Sequence, residues 1–286
     1  MSSAKSEVNN LNLESVGRDV LQFFAQYIES QLGIVYSYAN YFQLEHRLKD
    51  IAVQLKIGSV AELHARAKIG FDSEIKNLLL DLATNNETSF FRDPAVFQAI
   101  ATVIIPELLN RPNRPSNVRI WSAAASTGQE IYSVGVALQE IKDQLTVPYQ
   151  LIATDISERV LKRAQTGVYS SLEVQRGLTI AQKQKYFDQE ANGDWKVKPE
   201  IRRLVTFKKL NLLEHWGDHG SFDLILCRNV LIYQSVANKT KVIEQIERHL
   251  NSGGYLFLGA AESMMGLSDK FKQCASNGAV YYKKTT

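Results

Sequence analysis

The chain has 286 residues, of which 45% are hydrophobic and 22% are charged, and its formal net charge at pH 7 is +3. This is the composition of an ordinary globular protein, and it excludes a chain that is disordered, collagen-like or coiled-coil throughout. The charge is too small to indicate a nucleic-acid partner on its own.

The cysteines and histidines indicate neither a disulfide framework nor a metal site. Cys227 and Cys274 lie far apart, and the five histidines show no metal-ligand spacing. The N-terminal residues are polar, and no apolar run reaches about 18 residues. We therefore expect a cytoplasmic protein with no signal peptide, no metal and no membrane insertion.

The first part of the chain has helical periodicity. From Arg18 to about Leu82, apolar side chains recur at positions i, i+3, i+4 and i+7, which predicts several amphipathic helices. Gly33 and Gly70 are predicted to end two of them. We interpret residues 1–95 as an N-terminal all-helical module.

Residues 96–286 show a different pattern, in which short apolar runs alternate with amphipathic helices. This alternation is typical of a doubly wound, parallel α/β sheet. The predicted strands are residues 118–124, 150–156, 204–210, 222–227, 255–259 and 279–283. The predicted helices are residues 129–142, 158–165 and 235–250, the last closed by Gly253 and Gly254.

One stretch, residues 170–204, is too long for an ordinary loop of such a sheet. It contains a helical piece near residues 181–187. Residues 191–194 (ANGD) then separate two short polar-alternating runs, which is a hairpin signal. We interpret residues 170–204 as an inserted small β-hairpin subdomain.

The loop after the first predicted strand is the first candidate binding element. Residues 121–130 (WSAAASTGQE) end a strand in small residues and begin a helix, so a ligand can approach the backbone and the helix N-terminus. A tight turn without a ligand explains this loop equally well. Its single glycine, Gly128, disfavours a dinucleotide pyrophosphate, which needs a GxGxxG fingerprint.

Asp155, at the end of the second predicted strand, adds to this candidate. An acid at this position of such a fold accepts hydrogen bonds from ribose hydroxyls, although it also suits the N-cap of the following helix. Taken with the first loop, it favours a ligand that carries a nucleoside. NAD and S-adenosylmethionine (SAM) both do, and the missing pyrophosphate glycines favour SAM.

Two further segments are candidates for the same site. Arg228 and Asn229 follow a central strand, at the edge where open α/β sheets bind ligands; a solvent-facing arginine is the alternative. Residues 86–92 (NETSFFR) are polar, aromatic and basic at the predicted junction of the modules, and clefts between domains are common ligand sites. A plain linker is the alternative there.

At these residues the sequence resembles the chemotaxis receptor methyltransferase family, CheR. The matching pieces occur in the family's order, and the resemblance extends from about Phe23 to Tyr281. The pieces are residues 86–93 (NETSFFRD), 119–128 (RIWSAAASTG), 153–156 (ATDI), 167–169 (GVY), 222–233 (FDLILCRNVLIY) and 253–263 (GGYLFLGAAES).

The resemblance implies an α/β fold: a Rossmann-like class I methyltransferase domain with an N-terminal helical module that docks receptors and an inserted β-subdomain. It implies a SAM-dependent protein-glutamate O-methyltransferase that needs no metal. Such an enzyme transfers methyl from SAM to glutamate side chains of chemoreceptors in chemotaxis adaptation, forming a glutamate methyl ester and S-adenosylhomocysteine. The implied partners are the cytoplasmic helices of chemoreceptors, and we expect a monomer.

The resemblance also implies roles for individual residues. The cofactor-binding residues would be Asn86, Thr88, Arg92, Glu130, Asp155, Asn211, Leu212, Arg228 and Asn229. Among these, Arg92 would bind the methionyl carboxylate of SAM, Asp155 the ribose, and Asn211 and Leu212 would flank the adenine. From the needs of the reaction we expect Arg228 and Tyr233 to be the catalytic residues, with one or the other orienting the acceptor carboxylate.

One departure from the family lies in the first loop. The family usually reads GEEPYS where this chain has residues 128–133 (GQEIYS). We assign the ligand role to the retained Glu130. Gln129 in place of the first acid keeps open a binding scaffold that has lost turnover. A nicotinamide or nucleotide enzyme is the other alternative, and the single-glycine loop disfavours it.

Docking to the receptor is expected through the helical module. Arg47, Lys49 and Lys56 would form a basic face for acidic receptor helices, although a merely solvated face is the usual reason for such charges. The hairpin turn, residues 188–195, looks short for gripping a receptor C-terminal peptide as an added strand. The sequence therefore predicts weak or no binding of such a tether.

Overall fold

The computed structural model describes residues 15–285, so the expectation of a polar N-terminus without a signal peptide lies partly outside the described residues. The chain forms two compact units, Met1–Asn85 and Asn86–Thr286. The sequence predicted this boundary at residue 95. Residues 86–95 belong to the second unit because Phe90 is buried there, edge-to-face against Tyr169. No change in periodicity marks this shift in the sequence.

The first unit is helical, as the apolar periodicity predicts. Its helices are α1 (Arg18–Leu32), α2 (Tyr41–Gln54), α3 (Val60–Ile69) and α4 (Ser73–Ala83). Gly33 ends α1 in a left-handed conformation and Gly70 follows α3, so both predicted helix ends are confirmed. The side chains of Ser59 and Asp72 cap the N-termini of α3 and α4.

The second unit is an α/β domain. Its helices are α5 (Pro94–Ala99), which continues through the π-helical turn Ile100–Ile104 into α6 (Ile105–Leu109), then α7 (Gln129–Glu140), α8 (Glu158–Thr166), α9 (Ser171–Gln175), α10 (Ile180–Tyr186), α11 (Pro199–Arg202) and α12 (Val236–His249). Its strands are β1 (Val118–Ala123), β2 (Tyr149–Asp155), β3 (Val168–Tyr169), β4 (Phe187–Gln189), β5 (Trp195–Val197), β6 (Val205–Lys209), β7 (Phe222–Cys227), β8 (Leu250–Leu258), β9 (Phe271–Ser276) and β10 (Ala279–Lys284).

Seven strands form the main sheet, in the order β6-β2-β1-β7-β8-β10-β9. The chain builds outward from β1 through β2 to β6, and then returns to β7 on the other side of β1. Ligands of open α/β sheets bind at such a reversal, beyond the carboxyl ends of the strands. Every residue of β7 is buried, as expected of a strand covered on both faces.

The far edge of this sheet differs from the prediction. The sheet is mixed, because β10 pairs antiparallel with both β8 and β9. The sequence analysis missed β9, whose partly exposed polar residues give no buried-strand pattern. Gly253 and Gly254 lie within β8 and do not close the preceding helix, because the chain passes from α12 directly into the extended backbone of Leu250.

The inserted subdomain contains the predicted hairpin of β4 and β5, together with the short strand β3. The three strands form an antiparallel sheet in the order β3-β5-β4. The hairpin turn is closed by the Glu190 N–H, which donates to the Asp194 carbonyl at 2.8 Å. A strand of two residues, as β3 is, carries no readable alternation in the sequence.

None of the helices within residues 15–285 combines the length and the apolar character needed to cross a membrane.

His219 lies in the loop before β7, where its ring contacts those of Trp121 and Phe222 at centroid distances of 4.8 and 5.3 Å. Burial, with a contribution from the nearby charge of Lys208, lowers the pKa of His219 from 6.5 to about 4. The unfolded chain therefore binds this proton more readily than the folded chain. Stability falls as the pH drops from the unfolded pKa towards the folded one.

We expect His219→Gln to reduce the loss of unfolding free energy between pH 6.5 and pH 4, the two pKa values of this group. Urea denaturation at a series of pH values measures the unfolding free energy of each protein. His46→Gln, the same substitution at an exposed position of α2, is the matched control. Equal pH profiles for wild type and His219→Gln would show that another group is responsible.

Candidate active site

The loop between β1 and α7 turns through three left-handed residues. Ala124, Ser126 and Gly128 have φ angles of 60°, 51° and 91°. Residues other than glycine rarely adopt this conformation, and such strained residues cluster at functional sites. The Ser126 N–H donates to Asp155 Oδ2 at 2.8 Å, which holds the loop beside the end of β2.

Asp155 organises two loops at once. Its side chain is almost fully buried, and its second oxygen, Oδ1, accepts from the Ser157 N–H at 3.0 Å. Ser157, not Asp155, caps α8, because its hydroxyl accepts from the Val160 N–H. The alternative that Asp155 is the N-cap is therefore wrong, while its role at the ribose stays a prediction.

Arg228 is the centre of a buried ionic cluster. Its side chain is only 2% exposed. One terminal nitrogen donates to Glu130 Oε2 at 2.9 Å, and the other donates to the Arg92 carbonyl at 3.0 Å and to the Asp93 carboxylate. The alternative of a solvent-facing arginine is wrong. Sequence reasoning did not single out Asp93, although it ends the matching segment 86–93.

Glu130 completes this cluster from the first turn of α7. Its other carboxylate oxygen, Oε1, accepts from the Ser122 hydroxyl at 2.8 Å, and its side chain is 14% exposed. A buried ion pair stabilises a fold only when further hydrogen bonds satisfy both charges. Both oxygens of Glu130 are hydrogen-bonded, so its carboxylate is fixed at the carboxyl end of β1.

Residues 86–93 lie along the same edge of the sheet. The Ser126 hydroxyl donates to the Asn86 carbonyl at 2.8 Å, and the Phe91 N–H donates to the Ser133 hydroxyl at 2.9 Å. Thr88 is half-buried, and the guanidinium of Arg92 is exposed, donating weakly to the Glu87 carbonyl at 3.3 Å. These residues are therefore fixed to the α/β unit, and their contact with a ligand stays a prediction.

A second carboxylate, that of Glu262, holds the loop after β7. It accepts from the backbone N–H groups of Asn229, Leu231, Ile232 and Gly259 at 2.8, 2.7, 3.1 and 2.6 Å. Asn229 is left-handed, with φ at 59°. Sequence reasoning missed Glu262, although an acid just beyond the end of a central strand is a signal that could have identified it.

The remaining predicted residues lie around this core. Asn211 follows β6, and its side chain accepts from the Leu213 N–H at 3.0 Å. The preceding Leu210 N–H donates to the Asp155 carbonyl, so Asn211 and Leu212 lie at the same sheet edge as Asp155. Tyr233 ends the 3-10 turn after β7 and is 42% exposed.

Gln129 supports the loop and points towards the inserted subdomain. It is 2% exposed, its side-chain oxygen accepts from the Thr127 hydroxyl at 2.7 Å, and its amide lies 3.5 Å from Glu173 Oε1. The Tyr169 hydroxyl donates to the Thr127 carbonyl at 2.6 Å. A neutral amide suits this position because a second carboxylate beside Glu173 would repel it.

Cys227, next to Arg228, has no place in the chemistry as a nucleophile. Burial, followed by the charges of Glu262 and Glu130, raises the pKa of the Cys227 thiol well above its ordinary value, so the reactive thiolate does not form. Among residues 15–285, no group of three or more His, Cys, Asp or Glu side chains has an arrangement that could hold a metal ion.

The open sheet and the loops that meet at its carboxyl edge define the class, a Rossmann-like SAM-dependent methyltransferase. The family model described as CheR methyltransferase, SAM binding domain, matches residues 86–280. The chain belongs to the CheR methyltransferase family. The matched segment begins within one residue of the boundary between the two compact units.

Curated relatives match nearly the whole chain. A chemotaxis protein methyltransferase of Vibrio parahaemolyticus is 38% identical over 263 residues, 91% of this chain and 94% of that protein. Chemotaxis protein methyltransferase Cher2 of Pseudomonas putida is 38% identical over 276 residues, 94% of this chain and 100% of that protein. The glycopeptide N-methyltransferase MtfA, solved with SAM, is a distant structural neighbour at 12% identity and a TM-score of 0.36, covering 71% of this chain and 72% of MtfA.

The groups at the carboxyl edge suit the polar parts of SAM. Fixed carboxylates, those of Glu130 and Asp155, match amino and hydroxyl donors, and the exposed guanidinium of Arg92 matches a carboxylate. The Nε–H of Arg228 is buried and has no acceptor among the described residues. Such a donor is the kind of group that a bound ligand satisfies.

We expect Glu262→Gln to weaken the binding of S-adenosylhomocysteine by about tenfold. The substituted amide nitrogen cannot accept, so backbone donors of the loop that carries Asn229 lose a partner, at about 1.5–3 kcal/mol for each bond to a charged group. Calorimetric titration measures the affinity, and thermal melting reports whether the fold is retained.

The matched control is Glu244→Gln, which removes the same charge from an exposed position of α12. It should bind S-adenosylhomocysteine as the wild type does. Unchanged affinity in Glu262→Gln would show that the loop after β7 keeps its shape without this carboxylate.

Proposed function

We propose that the chain transfers methyl from SAM to the side-chain carboxylates of glutamates on chemoreceptors, forming glutamate methyl esters. The observation that carries the proposal is that the family's SAM-binding segment, residues 86–280, contains both Arg228 and its partners Arg92 and Asp93 at the carboxyl edge of the sheet. The curated relatives are named chemotaxis protein methyltransferases, which supports receptors as the substrate and adaptation as the role.

The reaction makes modest chemical demands on the side chains. A glutamate carboxylate has an ordinary pKa of about 4.3 and is already ionised at pH 7, so no general base has to activate it. SAM, when bound, supplies the methyl group on a positively charged sulfur. The task of the chain is to align the two partners and keep water out.

The cofactor is assigned to the groups of the carboxyl edge. Asp155 binds the ribose hydroxyls, and the loop after β6, with Asn211 and Leu212, flanks the adenine. Glu130 binds the amino group of the methionyl moiety and Arg92 its carboxylate, because a planar guanidinium can hold both oxygens. Asn86, Thr88 and Asn229 line the remaining wall.

The acceptor is assigned chiefly to Tyr233, which is exposed at the end of the loop after β7. Arg228 was predicted to share this role. Its guanidinium is already enclosed by the Glu130 and Asp93 carboxylates and the Arg92 carbonyl. We therefore assign Arg228 to positioning these groups, and a direct contact with the acceptor stays a prediction.

The setting follows from the substrate. The partners are the cytoplasmic helices of chemoreceptors, so the enzyme works in the cytoplasm, as a monomer. Receptor docking by the helical unit stays a prediction, and the short hairpin turn is expected to bind a receptor C-terminal tether weakly or not at all. The Gln129 side chain accepts a hydrogen bond from Thr127 within the loop, which supports an active enzyme over a scaffold that has lost turnover.

The test is transfer of radiolabelled methyl from SAM to receptor-containing membranes, with receptor-free membranes from the same cells as the control. The expected result is a label on a receptor-sized band that base treatment releases, because methyl esters hydrolyse where N-methyl groups do not. A base-stable label would indicate another acceptor. SAM binding without any transfer would make the protein a scaffold.

We expect Asp155→Ala to weaken the binding of S-adenosylhomocysteine by about 1–3 kcal/mol, the cost of removing hydrogen bonds to a charged group. The variant also releases the Ser126 N–H, so Asp155→Asn, which keeps one acceptor oxygen, should lie between it and the wild type. Calorimetric titration measures the affinity of the three proteins for S-adenosylhomocysteine. Asp143→Ala, at an exposed position, is the control. Unchanged affinity in a folded Asp155→Ala would contradict the ribose assignment.

A further inference from the structure

The positive charge of the chain is concentrated in one segment. Residues 158–209 contain 12 Lys and Arg against 6 Asp and Glu, a net charge of +6, while the remaining residues contain 21 against 24, a net charge of −3. The basic residues of the segment are Arg159, Lys162, Arg163, Arg176, Lys183, Lys185, Lys196, Lys198, Arg202, Arg203, Lys208 and Lys209. The overall charge of +3 therefore hides a strongly basic region.

The helical unit, where the sequence predicted a basic docking face, does not carry this excess. Residues 1–85 contain 8 Lys and Arg against 10 Asp and Glu. Arg47 donates to the Tyr36 hydroxyl at 2.8 Å, and Lys49, only 15% exposed, pairs with Glu45 at 2.9 Å. Cations that are satisfied within their own unit attract a distant acidic partner only weakly.

Part of the basic segment lies along the β6 edge of the main sheet, with Lys209 towards α8 and Lys208 on the opposite face of the strand, near His219. Lys209 pairs with Glu158 at 2.8 Å, which joins the end of β6 to the start of α8. Arg202 donates to the Thr166 carbonyl at 3.1 Å, which joins α11, just before β6, to the end of α8. Helix α8 therefore runs along β6, and we call the exposed residues of α8, α11 and β6 the basic edge.

Three cations of the basic edge form no ion pair in the described part of the chain. Lys162 on α8, Arg203 at the end of α11 and Lys208 on β6 are all exposed. Within residues 15–285 none of them has a carboxylate inside 4.0 Å, in contrast to Lys209. Lysine on an edge strand also prevents sheet-to-sheet association. Prevention of such association explains why Lys208 is exposed on β6. It does not explain Lys162, which lies on a helix, or Arg203, which precedes the strand.

The basic edge reaches the end of the sheet that carries the active site. Strand β6 pairs parallel with β2, and Lys209 is the register partner of Asp155. Lys208 and Lys209 therefore lie next to the carboxyl ends of the strands. A partner bound along this edge extends from the C-terminal end of α8 to the loops assigned to the cofactor.

We propose that the basic edge is the electrostatic docking surface for the acidic faces of the receptor helices that carry the acceptor glutamates. This inference rests on the proposed function, because that function makes the partner a helix with ionised glutamates. Opposite charges across an interface accelerate encounter and orient the partners before close contacts form. The surface is separate from the hairpin strands β4 and β5.

The experiment compares two variants that each lose three positive charges. The edge variant is Lys162→Gln, Arg203→Gln and Lys208→Gln combined. The control variant combines Lys142→Gln, Lys241→Gln and Lys272→Gln, three exposed lysines of the α/β unit that lie outside the basic edge. Each protein is sedimented with phosphatidylcholine vesicles that contain receptor, at low salt and at about 0.3 M salt, where exposed charges are strongly screened.

The edge variant should bind receptor vesicles about tenfold more weakly than the wild type at low salt, with little further loss at high salt. The control variant should bind within about twofold of the wild type and keep its salt dependence. Both variants should bind S-adenosylhomocysteine normally, which shows that the active site is intact.

Equal weakening in the two variants, or none in the edge variant, would overturn the proposal. Wild-type binding to receptor-free vesicles of anionic lipid, lost in the edge variant while receptor binding is unchanged, would assign the surface to the membrane and would also overturn it. Sedimentation needs no methyl transfer. Failure of the wild type to label receptor would therefore refute the proposed function without deciding the docking result.

Discussion

The site depends on one buried cation. The guanidinium of Arg228 binds the Glu130 carboxylate, the Asp93 carboxylate and the Arg92 carbonyl, with its side chain only 2% exposed. These acceptors come from segments far apart in the chain, the start of α7 and the residues before α5. A buried charge that loses its partners costs several kcal/mol, so the segments are held together by the need to satisfy it.

The carboxylates that hold the loops work against backbone strain. Seven non-glycine residues of the described chain are left-handed, and five of them lie in the loops of this site. The five are Phe91, Asp93, Ala124, Ser126 and Asn229. Such conformations persist only where the surroundings impose them. Asp155 imposes one at Ser126, and Glu262 imposes another at Asn229, by accepting from their N–H groups.

The sequence could predict where residues lie along strands and helices, but not which distant residues the fold brings into contact with them. The alternation of strands and helices predicted the parallel part of the sheet, and strand ends identified Asp155 and Arg228, because both are properties of position along the chain. The partners of these residues are properties of the fold. Nothing in the sequence of residues 222–233 indicates that Arg228 turns inward to Glu130.

The features that the sequence did not predict also depend on contacts between residues distant in the chain. Glu262 is defined by four amide donors, three of which lie in a loop about thirty residues earlier in the chain. Strand β9 is stabilised by pairing with β10, while its own polar residues resemble a loop. The boundary at residue 85 depends on the burial of Phe90 in the core of the α/β unit, a tertiary contact that no local pattern in the sequence indicates.

The most direct test of this account is a double-mutant cycle between Arg228 and Glu130. The affinity for S-adenosylhomocysteine would be measured by calorimetry in Arg228→Gln, Glu130→Gln and the double variant. If the buried pair organises the site, the two positions are coupled by at least about 1.5 kcal/mol, and the double variant is hardly worse than Arg228→Gln alone. Additive losses would show that the two residues act independently and would contradict the central role of Arg228.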